Sequence, residues 1–340
     1  MSRVVTFGEI MMRLATPNFL RFVQARTFDV TYAGAEANVA VSLANFGVEA
    51  SFVTKLPKNE FGIAVVRHLK QYGVDTSHII FGEGRLGIYF LETGYSQRPS
   101  KVIYDRANSA FALSKPEEYD WDRIFDKANW FHFTGITPAL GENLVRACLD
   151  ALRKAKEKGI TVSCDLNYRA KLWSEEKART VMSELVKHVD VLFANEEDAE
   201  KVFGIKADES NVVEGKLSLK GYEQVCRRLK ERFGFKKVAI SLRESVVANL
   251  NGWSGVLLDG DDFYSARQYT VHIVDRVGAG DSFAAGIIYG CLAGMKPQEM
   301  LEFAVAASCL KHTIMGDFNE VSVEEVKSLM KGAGSGRVVR

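Results

Sequence analysis

The sequence predicts an α/β fold of three layers, with a mostly parallel central sheet and helices on both faces. The first observation is that short β-branched runs alternate with longer amphipathic stretches along most of the 340 residues. The second is that these short runs are apolar throughout, which is typical of strands covered on both faces. The third is that two segments break the alternation and predict a separate small sheet.

Six strands and eight helices are expected in the main part of the fold. The strands are runs of four or five apolar or β-branched residues, at 4–7, 51–54, 130–133, 160–164, 189–193 and 237–240. The helices show apolar side chains at 3.6-residue spacing, at 36–46, 60–72, 142–158, 174–187, 222–233, 280–293, 297–312 and 323–330. One more strand-like run, 271–274, leads into a glycine-rich turn.

The segments that break this pattern are residues 13–32 and 84–110. They show alternation with a period of two and contain turn-forming residues, which predicts a small antiparallel sheet that acts as a lid. Ordinary edge hairpins would give the same pattern. The polar stretch 206–220 predicts a surface loop. We expect one domain over residues 1–335 and a flexible tail at 336–340.

Composition excludes several classes of protein. The 44 basic and 43 acidic residues nearly cancel, which argues against a nucleic-acid partner or an anionic membrane surface. No apolar run reaches the ~18 residues that a membrane-spanning helix needs, and the chain does not begin like a signal peptide. Five widely spaced cysteines in apolar contexts predict free thiols and a cytoplasmic location.

The strongest local signal for chemistry lies between Asp275 and Asp281. Gly278, Ala279 and Gly280 are small and stand where an apolar helix begins, so backbone N–H groups and the helix dipole can attract a triphosphate. Asp281, in the first helical turn, can accept the proton of an attacking hydroxyl. An aspartate that caps a helix after a glycine-rich turn would give the same short motif without any chemistry.

These residues resemble the C-terminal signature of the PfkB (ribokinase-like) carbohydrate kinases, Asp-Thr-x-Gly-Ala-Gly-Asp, with Arg276 at the usual threonine. The segment 34–40 is similar to the N-terminal signature of the family. The resemblance extends from about residue 3 to 330. It implies a β-sheet lid over a sugar, binding of ATP and Mg²⁺, and transfer of the γ-phosphoryl group to a sugar hydroxyl.

Within the family, residues 34–38, 104–110, 165–169 and 316–317 are most similar to kinases of 2-keto-3-deoxygluconate. This substrate is a sugar acid, and an arginine can bind a carboxylate through two hydrogen bonds. The resemblance therefore implies phosphorylation to 2-keto-3-deoxy-6-phosphogluconate. A related sugar kinase, such as a fructokinase, and a sugar-binding protein without catalysis are the alternatives.

The resemblance also implies a set of site residues. The sugar is expected to contact Gly34, Asn38, Tyr89, Tyr104, Arg106, Arg169, Asp281 and Asp317. The nucleotide is expected to contact Asn167, Asn195, Ser241, Arg243, Gly278, Ala279 and Gly280. Arg169 is also expected to stabilise the transferred group, and Asp165 and Asp198 to hold Mg²⁺, Asp198 through water. Arg106 as a solvated hairpin residue, Tyr89 as core and Asp317 as a loop cap are the ordinary structural explanations.

Two departures from the family pattern leave undecided which nucleotide is bound, and how. Asp198 stands where the usual turn has a glutamate and is one methylene shorter. Residues 241–245 replace a glycine-rich nucleotide loop and contain no glycine, which restricts the approach of the backbone to a ligand. The family also implies that an apolar lid face joins subunits into a homo-oligomer.

Overall fold

The computed structural model describes residues 2–195, 197–207, 212–213 and 216–332. Its strands are β1 Arg3–Phe7, β2 Met11–Ala15, β3 Asp29–Ala33, β4 Glu49–Val53, β5 Lys55–Pro57, β6 Ile80–Gly82, β7 Gly87–Glu92, β8 Lys101–Asp105, β9 Trp130–Thr134, β10 Thr161–Asp165, β11 Val191–Ala194, β12 Val212–Val213, β13 Lys216–Leu217, β14 Lys237–Val247, β15 Leu250–Asp259, β16 Asp262–Ser265 and β17 Tyr269–His272. Its helices are α1 Ala35–Asn45, α2 Glu60–Gln71, α3 Trp121–Ile124, α4 Ile136–Ala139, α5 Glu142–Glu157, α6 Glu175–Leu185, α7 Asp198–Phe203, α8 Leu219–Phe233, α9 Ala279–Leu292, α10 Pro297–Lys311 and α11 Val323–Met330.

A nine-stranded sheet forms the centre of the fold, in the order β16-β15-β14-β11-β10-β9-β1-β4, with β17 beside β15. The strands from β14 to β4 are all parallel, and β15, β16 and β17 are antiparallel additions at one edge. Because parallel strands end at one edge of the sheet, the segments that follow β1, β9, β10 and β11 lie side by side there.

Helices cover both faces of this sheet, and each face has its own apolar core. One core contains side chains of α1, α2, α9, α10 and α11, and the other contains side chains of α5, α6, α7 and α8. The predicted three-layer fold is therefore confirmed. Among the described helices, none is long and apolar enough to cross a bilayer. The five cysteines are free, and four of them are buried.

A second sheet of four strands stands beside the large one, in the order β3-β2-β7-β8. Its outer pairs are antiparallel, but the central pair β2–β7 is parallel, so the expectation of a purely antiparallel sheet is wrong. The reason is the long connection through α1, β4 and α2, which returns the chain to run alongside β2 in the same direction.

Three other expectations need correction. Residues 241–245 form no loop, because β14 continues to Val247 and pairs with β15 along this stretch. The strand predicted at 271–274 ends at His272, where its pairing with β15 stops. Within the described residues of 206–220, β12 and β13 form a short antiparallel pair. The tail predicted at 336–340 lies outside the described residues.

Candidate active site

A cavity of about 440 Å³ lies between the carboxyl ends of the parallel strands and the small sheet. Its lining includes every residue predicted for the sugar, nucleotide and metal sites, namely Gly34, Asn38, Tyr89, Tyr104, Arg106, Asp165, Asn167, Arg169, Asn195, Asp198, Ser241, Arg243, Gly278, Ala279, Gly280, Asp281 and Asp317. The structure thus brings together residues from both sheets and from most of the chain, while the role of each residue stays a prediction.

The N-terminus of α9 opens into this cavity. Gly278 is the N-cap and has a left-handed backbone, with φ of +86°. A Cβ atom at residue 278 would lie 1.9 Å from the carbonyl oxygen of Asp317, so only glycine fits there. No side chain of the described residues caps α9, and a Cβ at Gly280 would face open space. The free amides at this helix end can therefore bind an anion.

The side chain of Asp281 does not cap α9, so the motif is not simply a helix cap after a glycine-rich turn. Instead, Asn38 Nδ2 donates a hydrogen bond to Asp281 Oδ2 over 2.6 Å. Burial raises the pKa of Asp281 to about 7, with the Asn38 hydrogen bond acting against this shift and the charges of Asp317 and Glu36 adding to it. A carboxylate with a pKa near neutral suits a general base.

Arg169 is a cation in the cavity lining whose charge acts on Asp165, Asp198 and Asp281. Its guanidinium donates to the carbonyl of Tyr168 over 3.2 Å and forms no ion pair within the described part of the chain. Its charge lowers the pKa of Asp165, whereas burial, followed by the charges of Asp198 and Asp281, holds that pKa well above its ordinary value. Arg169 is therefore free to bind an anionic ligand beside three crowded carboxyl groups.

The two predicted metal ligands differ in how far the protein already satisfies them. Asp198 accepts hydrogen bonds from the backbone of Tyr168 and of Asn195, each over 3.2 Å. Asp165 accepts one bond from the backbone of Asn167 through Oδ1, which leaves Oδ2 for a ligand. No group of three or more metal-binding side chains occurs among the described residues. Mg²⁺ nevertheless fits, because it uses one or two carboxylates and takes its other oxygens from water and phosphates.

At the end of the cavity where the sugar is predicted to bind, the protein itself holds the carboxylate of Asp317. Its two oxygens accept hydrogen bonds from Arg13 and from Tyr89, the latter over 2.7 Å. Arg13 is fully buried and pairs with Asp275 as well. This network joins strands β2 and β7 of the small sheet to the segment before α9 and the segment after α10. Sequence reasoning missed Arg13, although a single charge inside the apolar run of β2 was a visible signal.

Arg106 is also engaged. Its side chain pairs with Glu9, which is buried and accepts a hydrogen bond from Ser109 too. The remaining nitrogen, Nη1, has no hydrogen bond in the described structure. The ring of Tyr104 lies 5.7 Å from the guanidinium carbon. Arg106 is therefore a fixed cation at the cavity wall, and the expectation of a solvated hairpin residue is wrong.

The end of the cavity where the nucleotide is predicted to bind is formed by strand residues. Ser241 and Arg243 are two positions apart on β14 and so point to the same side of the sheet. Arg276, which lies just before the turn at residues 277–278, donates to the carbonyl of Ala248 over 2.6 Å. His312, also missed from the sequence, lines the same end. The side chain of Arg243 thus offers positive charge where the family pattern has a glycine-rich loop, and Arg276 offers it where the pattern has a threonine.

Comparisons with known proteins match this geometry. The model of the pfkB family carbohydrate kinases matches residues 1–320. A 2-dehydro-3-deoxygalactonokinase from Haloferax volcanii is 34% identical over 336 residues, with 98% of each chain covered. A 2-dehydro-3-deoxygluconokinase from Thermoproteus tenax is 30% identical, with 97% of this chain and 95% of the relative covered. The crystal structure of a 2-dehydro-3-deoxygluconokinase from Thermotoga maritima is 53% identical, with a TM-score of 0.93 over 97% of this chain and 98% of the other.

Proposed function

The chain belongs to the pfkB family of carbohydrate kinases, and from this premise we propose that it transfers the γ-phosphoryl group of ATP to the 6-hydroxyl of 2-keto-3-deoxygluconate. The observation that carries the proposal is the open N-terminus of α9, with Asp281 in its first turn and the unpaired Arg169 nearby. The substrate is supported by the 53% identical protein from Thermotoga maritima, which is named for this sugar acid.

In the proposed reaction, Asp281 accepts the proton of the sugar hydroxyl while the hydroxyl oxygen attacks the γ-phosphorus. A new oxygen–phosphorus bond forms, and the bond from the γ-phosphorus to the bridging oxygen breaks, so that ADP leaves with its electron pair. Asn38 holds Oδ2 of Asp281, which directs Oδ1 to the hydroxyl. The amides of residues 278–280 and the guanidinium of Arg169 stabilise the charge on the transferred group.

Asp165 and Asp198 are the residues that would hold Mg²⁺, with Asp198 bound through water because its oxygens accept two backbone hydrogen bonds. A divalent cation there neutralises phosphate charge. It would also relieve the repulsion that, after burial, raises the pKa of Asp165. The small sheet is proposed to act as a lid that excludes water and so limits hydrolysis of ATP.

Arg106 is the proposed partner of the substrate carboxylate, because its Nη1 is unused and Glu9 fixes its position. The 4-epimer, 2-keto-3-deoxygalactonate, is a second candidate, since the relative from Haloferax volcanii is named for it. The two acids differ in the configuration of one hydroxyl. Arg106 is proposed to bind the carboxylate, which both acids have, so it does not distinguish them. Other residues of the cavity wall must distinguish the two configurations.

The test is an ATP-consumption assay with magnesium and four substrates: the two keto-deoxy acids, fructose and ribose. We expect turnover on the keto-deoxy acids and none on the neutral sugars. Turnover on fructose alone would reject the carboxylate site and retain the kinase. No turnover on any of the four, with folded protein, would favour the sugar-binding alternative.

We also propose that the small sheet joins two copies of the chain. The register of its strands places Val30, Leu14, Phe90 and Ile103 in one row across all four strands, on the face opposite to Tyr89. Val30 and Ile103 are each more than half exposed. A second copy related by a two-fold axis would cover the same row on both chains.

Analytical ultracentrifugation tests this interface. Ile103→Glu is expected to convert an oligomer into monomers, because it places a charge in the apolar row. Ile63→Glu is the matched control, since Ile63 is similarly exposed but lies on α2. A wild-type chain that sediments as a monomer would reject the proposal.

A further inference from the structure

Lys311 is a buried cation that the proposed reaction does not use. It is the last residue of α10, and its side chain is completely inaccessible to solvent. Its ammonium donates to three backbone carbonyls: Asp275 over 3.3 Å, Ile314 over 3.4 Å and Gly316 over 2.5 Å. A lysine has three N–H donors, so this carbonyl cage uses all of them. Within the described residues no carboxylate oxygen lies within ion-pair distance of Lys311.

The carbonyls of the cage belong to the two segments that shape the phosphate-binding end of α9. Asp275 begins the turn that leads to Gly278, and its carboxylate accepts hydrogen bonds from the amides of Val277 and Gly316. Gly316 precedes Asp317, whose carbonyl oxygen leaves no room for a side chain at Gly278. The position of the N-terminus of α9 therefore depends on how closely the segments 275–278 and 314–317 approach each other.

Electrostatics explains why a cation is needed at this junction. Three carbonyl dipoles that point at one buried position repel each other and remain unsatisfied without a donor. Rings of backbone carbonyls with this character bind potassium ions in other proteins. Lys311 places a covalently attached positive charge at this position, so no ion has to be recruited from solution.

We propose that Lys311 is a positioning residue for phosphoryl transfer, whose ammonium is a built-in monovalent cation that holds the segments 275–278 and 314–317 together and so fixes the anion-binding end of α9. The inference rests on the proposed function, because it concerns the same phosphate site. It predicts that the wild-type enzyme is equally active in potassium, ammonium and sodium salts and in tetramethylammonium, which is too large for the cage.

The test combines two variants with a control. Lys311→Met is expected to lower kcat about 10- to 100-fold, the effect of a small misplacement of reacting groups, and to raise the KM for ATP. The affinity for the sugar acid alone, measured by calorimetry, should fall by a smaller factor than kcat, because Arg13 and Tyr89 also hold the carboxylate of Asp317. Lys311→Ala leaves space in the cage, and added ammonium or methylammonium should restore at least part of its turnover. Lys55→Met removes another buried lysine, which pairs with Glu118 away from the cavity, and should leave kcat unchanged.

Three outcomes would overturn the proposal: a wild-type enzyme that requires potassium, a Lys311→Met variant with normal kcat and ATP affinity, or a folded Lys311→Ala variant that no small cation rescues. If the Met and Ala variants fail to fold, Lys311→Gln decides, because it keeps two N–H donors without the charge. Normal turnover of Lys311→Gln would reject a role for the charge. Failure of the proposed function is distinguishable, since the wild type would then show no turnover while calorimetric binding of ATP still compares the variants.

Discussion

Replacing Asp281 by Asn is expected to stabilise the folded protein while it abolishes turnover. Burial and the charges of Asp317 and Glu36, opposed by the hydrogen bond from Asn38, raise the pKa of Asp281 from 3.8 to about 7. At 1.36 kcal/mol for each pKa unit, a shift of about three units corresponds to about 4 kcal/mol. Above pH 7 the carboxylate of Asp281 is ionised in the folded wild type, and the burial of this charge lowers the free energy of unfolding by about this amount. The Asn side chain carries no such charge, and it can still accept the hydrogen bond from Asn38.

The stability gain must depend on pH in a defined direction. Because the pKa of Asp281 is higher in the folded protein than in the unfolded chain, folding binds its proton more tightly, and stability falls as the pH rises between the two pKa values. Well below the ordinary value of 3.8 the carboxyl group is neutral in both states, so the ionisation of Asp281 contributes no difference between variant and wild type there. The difference should grow up to about pH 7, the pKa in the folded state, and then remain constant.

The assay is denaturant unfolding of both ligand-free proteins across this pH range, together with ATP consumption at saturating substrate. Asp317→Asn is the matched control with the opposite sign. It removes half of a buried ion pair with Arg13, and breaking such a pair costs about 3–5 kcal/mol. A difference between Asp281→Asn and wild type that does not change with pH would refute the raised pKa. Retained turnover of Asp281→Asn would remove Asp281 from the role of base.

Three further changes test other parts of the site. Asn38→Ala removes the hydrogen bond that lowers the pKa of Asp281, so the acid limb of the kcat/KM profile, expected near pH 7, should move to higher pH. Arg106→Ala should raise the KM for the keto-deoxy acid about 10- to 100-fold, the value of a charged hydrogen bond, and leave the KM for ATP unchanged. Arg13→Met leaves two buried carboxylates without their partner and should lower the free energy of unfolding by about 3–5 kcal/mol.

Each of these expectations has a result that contradicts it. An unmoved acid limb in Asn38→Ala would mean that another group sets the pH dependence. Equal increases of both KM values in Arg106→Ala would indicate a general distortion of the cavity, and Arg106→Lys, which keeps the charge, separates the two explanations. An unchanged unfolding midpoint in Arg13→Met would show that the two carboxylates find other partners or protons.

The parts of the fold that follow from local pattern could be predicted from the sequence. The apolar runs of β1, β9, β10 and β11 are local, and their parallel arrangement follows from the helices between them. The second half of β14 could not be predicted in this way, because the short connection between β14 and β15 lacks the turn motif that is typical of a hairpin. The strand pairing at residues 241–245 therefore overrode an expectation that came from the family.

The residues of the candidate site divide in the same way, into those that a local motif predicts and those that depend on distant partners. One continuous motif contains Gly278, Ala279, Gly280 and Asp281. Their position at the start of a helix could therefore be predicted from the sequence. The pairing of Arg13 with Asp317 could not be predicted, because the two residues are 304 positions apart in the chain. Likewise, nothing in the local sequence around Lys311 indicates that the carbonyl of Asp275, 36 residues earlier, joins those of Ile314 and Gly316 around its ammonium. Long-range pairing of buried charges leaves no periodic trace in a sequence.

The ion pairs of Arg13 also bear on how the protein is made. A ribosome delivers the chain from its N-terminus at about 5–20 residues per second, so Arg13 emerges long before Asp275 and Asp317. Until then the guanidinium has neither of the partners with which it is buried in the folded protein. The segment that contains Asp317 thus completes, late in synthesis, both the support of the small sheet and the wall behind Gly278. Chains that end before Asp317 therefore lack this partner of Arg13 and the carbonyl group that packs against Gly278.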